Sequence, residues 1–379
     1  MTAEIAILNK EAVALASDSA VTVRVESEEK VFSSANKLFA LSKYHPVGIM
    51  VHGSAIFMEI PWETIIKTYR KKLKRKQFAK LGDYAADFID FLDNGCFLFP
   101  DSVQEDYFES SIGGYFVYIR REIEKEIDSK IRANNKITEK EIKPILSGII
   151  KRHYELWENA DNIPSIPESY NEEIRKKFSS NISDAIRLVF EKLPISKRDS
   201  DKLRKIASNL FSRFPEGIHK EDFSGVVVAG FGEEDIFPSI EAFDLEGVAN
   251  KRLKFRSIAS SKVDFENLGA IVPFAQREMV DTFIQGVDPS YLYMQESYLK
   301  ELMSQFAEMI VENLKGYKEP AKEKLQRNLK EVSTKILEDF DKRLFEYRQN
   351  HRYSKKMRSP GASSGVWISR GESKTGQTL

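Results

Sequence analysis

Short apolar runs separated by turn residues open the chain. Ile5-Ala6-Ile7-Leu8 and Ala12-Val13-Ala14-Leu15-Ala16 flank Asn9-Lys10-Glu11, which reads as two strands joined by a turn. Runs this short and continuous suit strands covered on both faces. A second pair, residues 37–41 and 47–51, surrounds Tyr44-His45-Pro46. From Ala55 the period changes. Ile60, Ile65, Ile66 and Tyr69 recur at helical spacing, and the segment ends in a basic run over residues 70–76.

Residues 78–215 read as almost wholly helical, with long polar helices over 118–133 and 139–157, interrupted by Asn162-Ile163-Pro164-Ser165-Ile166-Pro167. Strand character returns with Gly225-Val226-Val227-Val228-Ala229-Gly230, a turn at Gly232-Glu233-Glu234-Asp235, and further strands near 237–243, 252–258 and 268–272. Helices resume over 276–285, and a long charged helical region spans 291–348. The tail from Tyr353 is rich in Ser, Gly and Lys and holds one strand-like fragment, Gly365-Val366-Trp367-Ile368-Ser369. The rest of that tail reads as unpacked.

Strands, helices, strands, helices is the order of a layered α/β (α+β) sandwich. The opening strands lack crossover helices, so they are expected to pair as antiparallel hairpins. The predicted division is a core from residues 2–77 and 220–350, a helical insertion over 78–219, and a polar, disordered or truncated tail over 351–379.

Composition narrows the function. With 379 residues, 31% charged and 41% hydrophobic, the chain can bury one large core or two ordinary ones. Lys plus Arg equals Asp plus Glu at 58 each, so no global charge draws it to nucleic acid or an anionic membrane. The single cysteine, Cys96, excludes an intrachain disulfide and a cysteine-rich metal site. The five histidines (His45, His52, His153, His219, His351) are scattered without metal-ligand spacing, and no metal or organic cofactor is expected. No apolar run is long enough to span a bilayer, and the first residues lack signal-peptide character, so the expected compartment is the cytoplasm.

Candidate chemistry lies in the first 55 residues. Thr2 follows Met1 and is small enough for removal of the initiator methionine, which would unite a hydroxyl and a free α-amine on one residue. Such an amine titrates near ~7.7–8.0 and can take the hydroxyl proton. The hairpin through Asn9 would carry Asp18 back alongside Thr2. Lys37 opens the next strand pair; a buried lysine there would favour the alkoxide, and Asp18 would keep that lysine charged. Gly53 ends a strand where a backbone N–H could face an oxyanion and a substrate could approach closely.

Met1-Thr2, then Val13-Ala14-Leu15-Ala16-Ser17-Asp18-Ser19, then Asn36-Lys37-Leu38-Phe39, then residues 48–53 together resemble the start of a proteasome β-type subunit. They are similar also to the peptidase subunit of the bacterial proteasome-like ATP-dependent protease. The step from Thr2 to Asp18 equals the family's step from nucleophile to aspartate. The resemblance implies a four-layer αββα N-terminal-nucleophile hydrolase sandwich and amide-bond hydrolysis through an acyl-enzyme. Thr2 would be nucleophile and base, Asp18 and Lys37 its charged partners, and Gly53 an oxyanion donor. It also implies a peptide or protein substrate and self-association, with any regulatory partner unspecified. The match covers residues 2–60, with a weaker echo in element order over 224–290.

Two departures stand out: a helical insertion far longer than the family's, and only residues 365–369 after the last helices to supply the family's returning strands. The family's supporting serine and aspartate therefore have no assigned counterparts. Lys30 competes with Lys37 for the lysine role. His52 could polarise a substrate or be structural. Gly361-Ala362-Ser363-Ser364-Gly365 matches the serine-hydrolase pattern but lacks a preceding buried strand. Gly230-Phe231-Gly232 before three acids reads as a turn rather than a phosphate cradle. The basic run reads as a solvated helix end. The rival to an enzyme is a catalytically silent proteasome-like scaffold that binds a protein partner through its helical insertion.

Overall fold

The computed structural model describes residues 3–19, 21–25, 28–32, 36–93, 97–134, 136–216, 223–275, 277–314, 316, 318–355 and 365–369. The chain divides into two compact units, Met1–Ala275 with Gly365–Leu379, and Gln276–Ser364.

The first unit is mixed α/β. β1 (Ala3–Asn9) and β2 (Ala12–Ser17) form a hairpin. Its turn is closed by Asn9, whose Oδ1 accepts from the N–H groups of Glu11 and Ala12 at 2.9 and 2.8 Å. A separate hairpin, β3 (Val21–Val25) with β4 (Glu28–Phe32), follows. β5 (Leu38–Ala40) pairs antiparallel with β6 (Val47–Gly53), then comes the small hairpin β7 (Ile56–Phe57) with β8 (Ile60–Pro61). The helices α1 (Trp62–Leu73), α2 (Leu81–Leu92), α3 (Asp101–Asn134), α4 (Glu139–Asn159), α5 (Tyr170–Lys177), α6 (Ser179–Phe190) and α7 (Lys197–Asn209) follow. β9 (Ser224–Gly230), β10 (Ser239–Ala249), β11 (Arg252–Lys262) and β12 (Gly269–Ala275) complete the strands before the second unit, and β13 (Gly365–Ser369) comes after it.

Two larger sheets result. One runs β12-β1-β2-β13 and the other β11-β10-β9-β6-β5, with every neighbouring pair antiparallel. Ala6, Leu8, Val13 and Leu15 of the first sheet share a core cluster with Met50, Val227, Ala229, Ile240 and Ala242 of the second. The other face of the second sheet, through Ile49, Val51, Val226 and Val228, packs with Ile65, Ile66 and Tyr69 of α1 and Tyr84 and Phe88 of α2. Each such fully buried side chain contributes ~1.5–3 kcal/mol.

Burial on both faces, expected for the opening strands, is instead the property of β6 and β9, which hold interior positions in the five-stranded sheet and pack on two sides. β1 alternates: Glu4, Ala6 and Leu8 are buried, whereas Ile7 is 45% exposed. The C-terminal fragment forms β13 and pairs with β2, Gly365 opposite Ala16 and Ser369 opposite Ala12.

The insertion has a core of its own. Phe108 stacks between Phe178 and Phe211, and Ile150, Trp157, Phe190 and Leu203 join the same cluster.

The second unit is helical. It contains α8 (Arg277–Gln285), α9 (Pro289–Asn313) and α10 (Glu319–Lys355). Asp288 caps α9 by accepting from the Ser290 and Tyr291 N–H groups. α9 and α10 run antiparallel, tied by Lys300–Asp341 at 3.3 Å and Lys330–Glu308 at 2.8 Å.

Candidate active site

The site begins where the β1–β2 hairpin closes on itself. The Asp18 N–H donates to the Ala3 carbonyl at 3.1 Å, and the Ala3 N–H donates back to Asp18 Oδ2 at 3.2 Å. The other carboxylate oxygen, Oδ1, accepts from Lys37 Nζ at 2.7 Å. One carboxylate thus holds both the amide that joins Ala3 to Thr2 and a lysine ammonium. Lys37 is buried, and Asp18 is about a third exposed.

Lys37 is fixed from the second sheet. Its carbonyl accepts from the Val51 N–H at 3.0 Å, which sets it beside the strand end carrying His52 and Gly53. The sequence therefore brings Asp18 and Lys37 together from two different sheets. Thr2 lies outside the described residues. Lys30, the rival lysine, belongs to β4, which pairs with β3 among the described residues; its side chain is outside the described set.

Gly53 takes a φ of +79°, and a Cβ there would lie 2.3 Å from the Phe223 carbonyl oxygen. No L side chain fits that conformation and that contact together. His52 follows the inward direction of Met50 and is buried. Its ring lies against Gly225, 6.1 Å from the Phe274 ring in a stacked arrangement and 6.2 Å from Phe223 edge-on. Its Nε2 has no hydrogen-bond partner among the described residues. Burial, and secondarily the Lys37 charge, lowers the imidazole to about 4, so it is neutral at pH 7.

Glu4 is the residue that pattern reading passed over. It points inward from β1, fully buried, opposite Ser17 on β2. Ser17 Oγ lies 3.0 Å from Glu4 Oε1 and 3.0 Å from the Asp18 carbonyl oxygen. Glu4 Oε2 has no partner among the described residues. Burial pushes this carboxyl up to about 8, against the Ser17 hydrogen bond and the attraction of Lys37, with the Asp18 charge adding to the rise. The signal was available: Glu4, Ala6 and Leu8 share one face at strand period, so a charged residue sat on the core side.

Other candidates have structural explanations. Asp235 Oδ2 accepts from the Gly232 N–H and from the Leu81 N–H at the start of α2, so the glycine–acid segment is a turn that caps a helix. In the basic run, Lys72 lies over Phe91, Arg75 over Tyr44, and Lys76 over Phe78 and against Asp87. Residues 361–364 of the serine-hydrolase pattern, like Cys96, lie outside the described residues. No helix among the described residues is long and apolar enough to cross a membrane.

No family description, no curated protein and no solved structure matches this chain.

Proposed function

We propose that the chain is a threonine-type N-terminal-nucleophile hydrolase that cleaves peptide or amide bonds through an acyl-enzyme on Thr2. The observation that carries this reading is the Asp18 carboxylate, which spans the Ala3 amide and the Lys37 ammonium. Two sheets sharing one apolar cluster, with α1 and α2 on the far side of one of them, agree with three layers of an αββα sandwich. A helical layer over the outer face of the four-stranded sheet would complete it.

After Met1 removal, the Thr2 α-amine takes the proton of its own hydroxyl as the oxygen attacks the substrate carbonyl. The Lys37 charge favours the oxyanionic form of the threonine and a neutral amine. The Gly53 N–H stabilises the tetrahedral oxyanion. The protonated amine then delivers its proton to the departing amine, leaving an ester on Thr2. Water, deprotonated by the same α-amine, hydrolyses the ester and returns the hydroxyl. No residue in this sequence of steps requires a metal or an organic cofactor.

Intact-mass measurement with a threonine-directed electrophile (an epoxyketone or β-lactone) tests the reading. A mature chain beginning at Thr2 that gains one adduct, lost in Thr2→Ala and in Lys37→Ala, supports it. Retention of Met1, or an adduct that survives Thr2→Ala, overturns it. A processed, folded chain that takes no adduct favours the protein-binding scaffold instead.

A further inference from the structure

We propose that Glu4 is a positioning residue for Lys37: a carboxylic acid kept neutral by its burial, whose ionisation places a second negative charge near the lysine and slows the threonine. This rests on the hydrolase reading above, and it assigns a regulator to that same site.

The hydrogen-bond geometry carries the argument. Ser17 has one hydroxyl proton and two acceptors at equal distance, Glu4 Oε1 and the Asp18 carbonyl oxygen, each at 3.0 Å. The carbonyl cannot donate. If Glu4 were ionised, one of the two contacts would bring oxygen lone pairs together with no proton between them. A protonated Glu4 resolves this: it donates to Ser17 Oγ, and Ser17 donates to the Asp18 carbonyl. Glu4 Oε2 points the same way, because it is buried without a partner among the described residues. A bare buried oxygen is tolerable on a neutral acid and costs far more on a carboxylate.

The surroundings allow the coupling. Ser17 meets Glu4 from β2, and the charges of Asp18, just after β2, and of Lys37, ahead of β5, both act on it. Phe274, opposite Glu4 on β12, is also the ring on which His52 stacks, and His52 feels the Lys37 charge in turn. At neutral pH Lys37 therefore meets the Asp18 carboxylate and an uncharged Glu4. Ionised Glu4 would compete with the threonine oxygen for the ammonium. The added charge is expected to slow the threonine by roughly tenfold.

The test has two independent arms. In full-length protein labelled with 13C at the glutamate side-chain carboxyls, one resonance, absent in Glu4→Gln, is expected to titrate near pH 8. The carboxylic-acid infrared band of the unaltered protein, lost over the same range, covers the case in which the variant does not fold. In the second arm, electrophile labelling rates of wild type and Glu4→Gln are compared across pH. The ratio of wild type to variant is expected to be flat at acid and neutral pH and to fall by roughly tenfold well above the Glu4 midpoint. Titration of Glu4 in the ordinary carboxylate range overturns the inference while leaving the hydrolase reading untouched. A ratio that stays flat at every pH overturns the role toward Lys37. Absence of any labelling, with Glu4 titrating as expected, overturns the hydrolase reading and the role together.

Discussion

A Cβ on Gly225 would lie 1.8 Å from His52 Cε1, so the imidazole rests directly on the backbone of the neighbouring strand. β6 and β9 pair these two residues in register, and Phe223 and Phe274 hold the ring. The ring cannot swing away without opening the end of the inter-sheet core. Gly225→Ala is therefore expected to destabilise by more than ~2 kcal/mol. In a His52→Ala background the same change should cost much less, because the clash has gone. A denaturant-melting double-mutant cycle reads this coupling; simple additivity would show that the ring gives way freely.

His52 also makes stability depend on acid. Its folded value is lowered from 6.5 to about 4, so the unfolded chain binds the proton first. The contribution is fully present above pH 6.5 and is lost as pH falls through about 4. His52→Phe keeps an aromatic ring and removes the titration. Its stability relative to wild type is expected to rise on acidification through that window, as followed by urea melts. A constant difference would mean that the imidazole is not held neutral by burial.

Glu4 acts with the opposite sign. Its folded value is raised from 4.5 to about 8, so the folded chain holds a proton the unfolded chain has released. The stabilisation is complete below pH 4.5 and declines as pH rises to about 8. Relative to Glu4→Gln, which stays neutral at every pH, wild type should lose stability across that range and level off above it. Because the His52 and Glu4 windows overlap, each variant is compared with wild type at matched pH. A wild-type advantage that grows with pH would contradict the assignment.

Asp18 holds two partners and Lys37 is one of them, so truncating the two residues should not be equivalent. Asp18→Ala removes a charged hydrogen bond to Lys37 and another to the Ala3 amide. Each is worth ~1.5–3 kcal/mol, and the lower end applies to a carboxylate about a third exposed, so a loss of about 3 kcal/mol is expected. Lys37→Met keeps the Asp18–Ala3 bond and most of the buried stem, and about 1–2 kcal/mol is expected. Equal destabilisation in thermal or urea melts would show that the Ala3 bond contributes nothing.

The sequence made Asp18 and Lys37 readable because each sits at the end of an apolar run, where a lone charge is conspicuous. The Asn9 turn and the 365–369 strand were readable for the same local reason. Glu4 was not, because it lies just before the Ile5–Leu8 run, which reads as covered on both faces; the strand period, separating Glu4-Ala6-Leu8 from Ile5-Ile7, held the information. In the β3–β4 hairpin, Val21, Val23 and Val25 alternate at strand period in the first strand, whereas Glu28, Glu29 and Lys30 mask the second. The break between α9 and α10 rests on a short linker containing Gly316, at a φ of +87°, within a stretch otherwise patterned as one helix. His52 gave no local signal of its environment. Gly225, Phe223 and Phe274 are more than 150 residues away; the pairing of β6 with β9 brings Gly225 and Phe223 beside it, and the packing of the two sheets brings Phe274.

Gly53 separates the backbone's structural demand from its proposed chemical one. An alanine there must adopt a φ of +79° and place its Cβ 2.3 Å from the Phe223 carbonyl oxygen. The conformation alone costs ~1 kcal/mol or more. The contact is with backbone rather than with a movable side chain, so the strand end must shift, and the 3.3 Å bond from the Ser54 N–H to the same carbonyl shifts with it. Alanine keeps the backbone N–H, so any loss of electrophile labelling must come from displacement of that donor and not from its removal. Gly53→Ala is expected to lose more than ~2 kcal/mol of stability and to label more slowly even where it remains folded. A variant as stable as wild type would show that Phe223 yields. A folded, destabilised variant that labels at the full rate would show that the shift of the strand end leaves the Gly53 N–H in place.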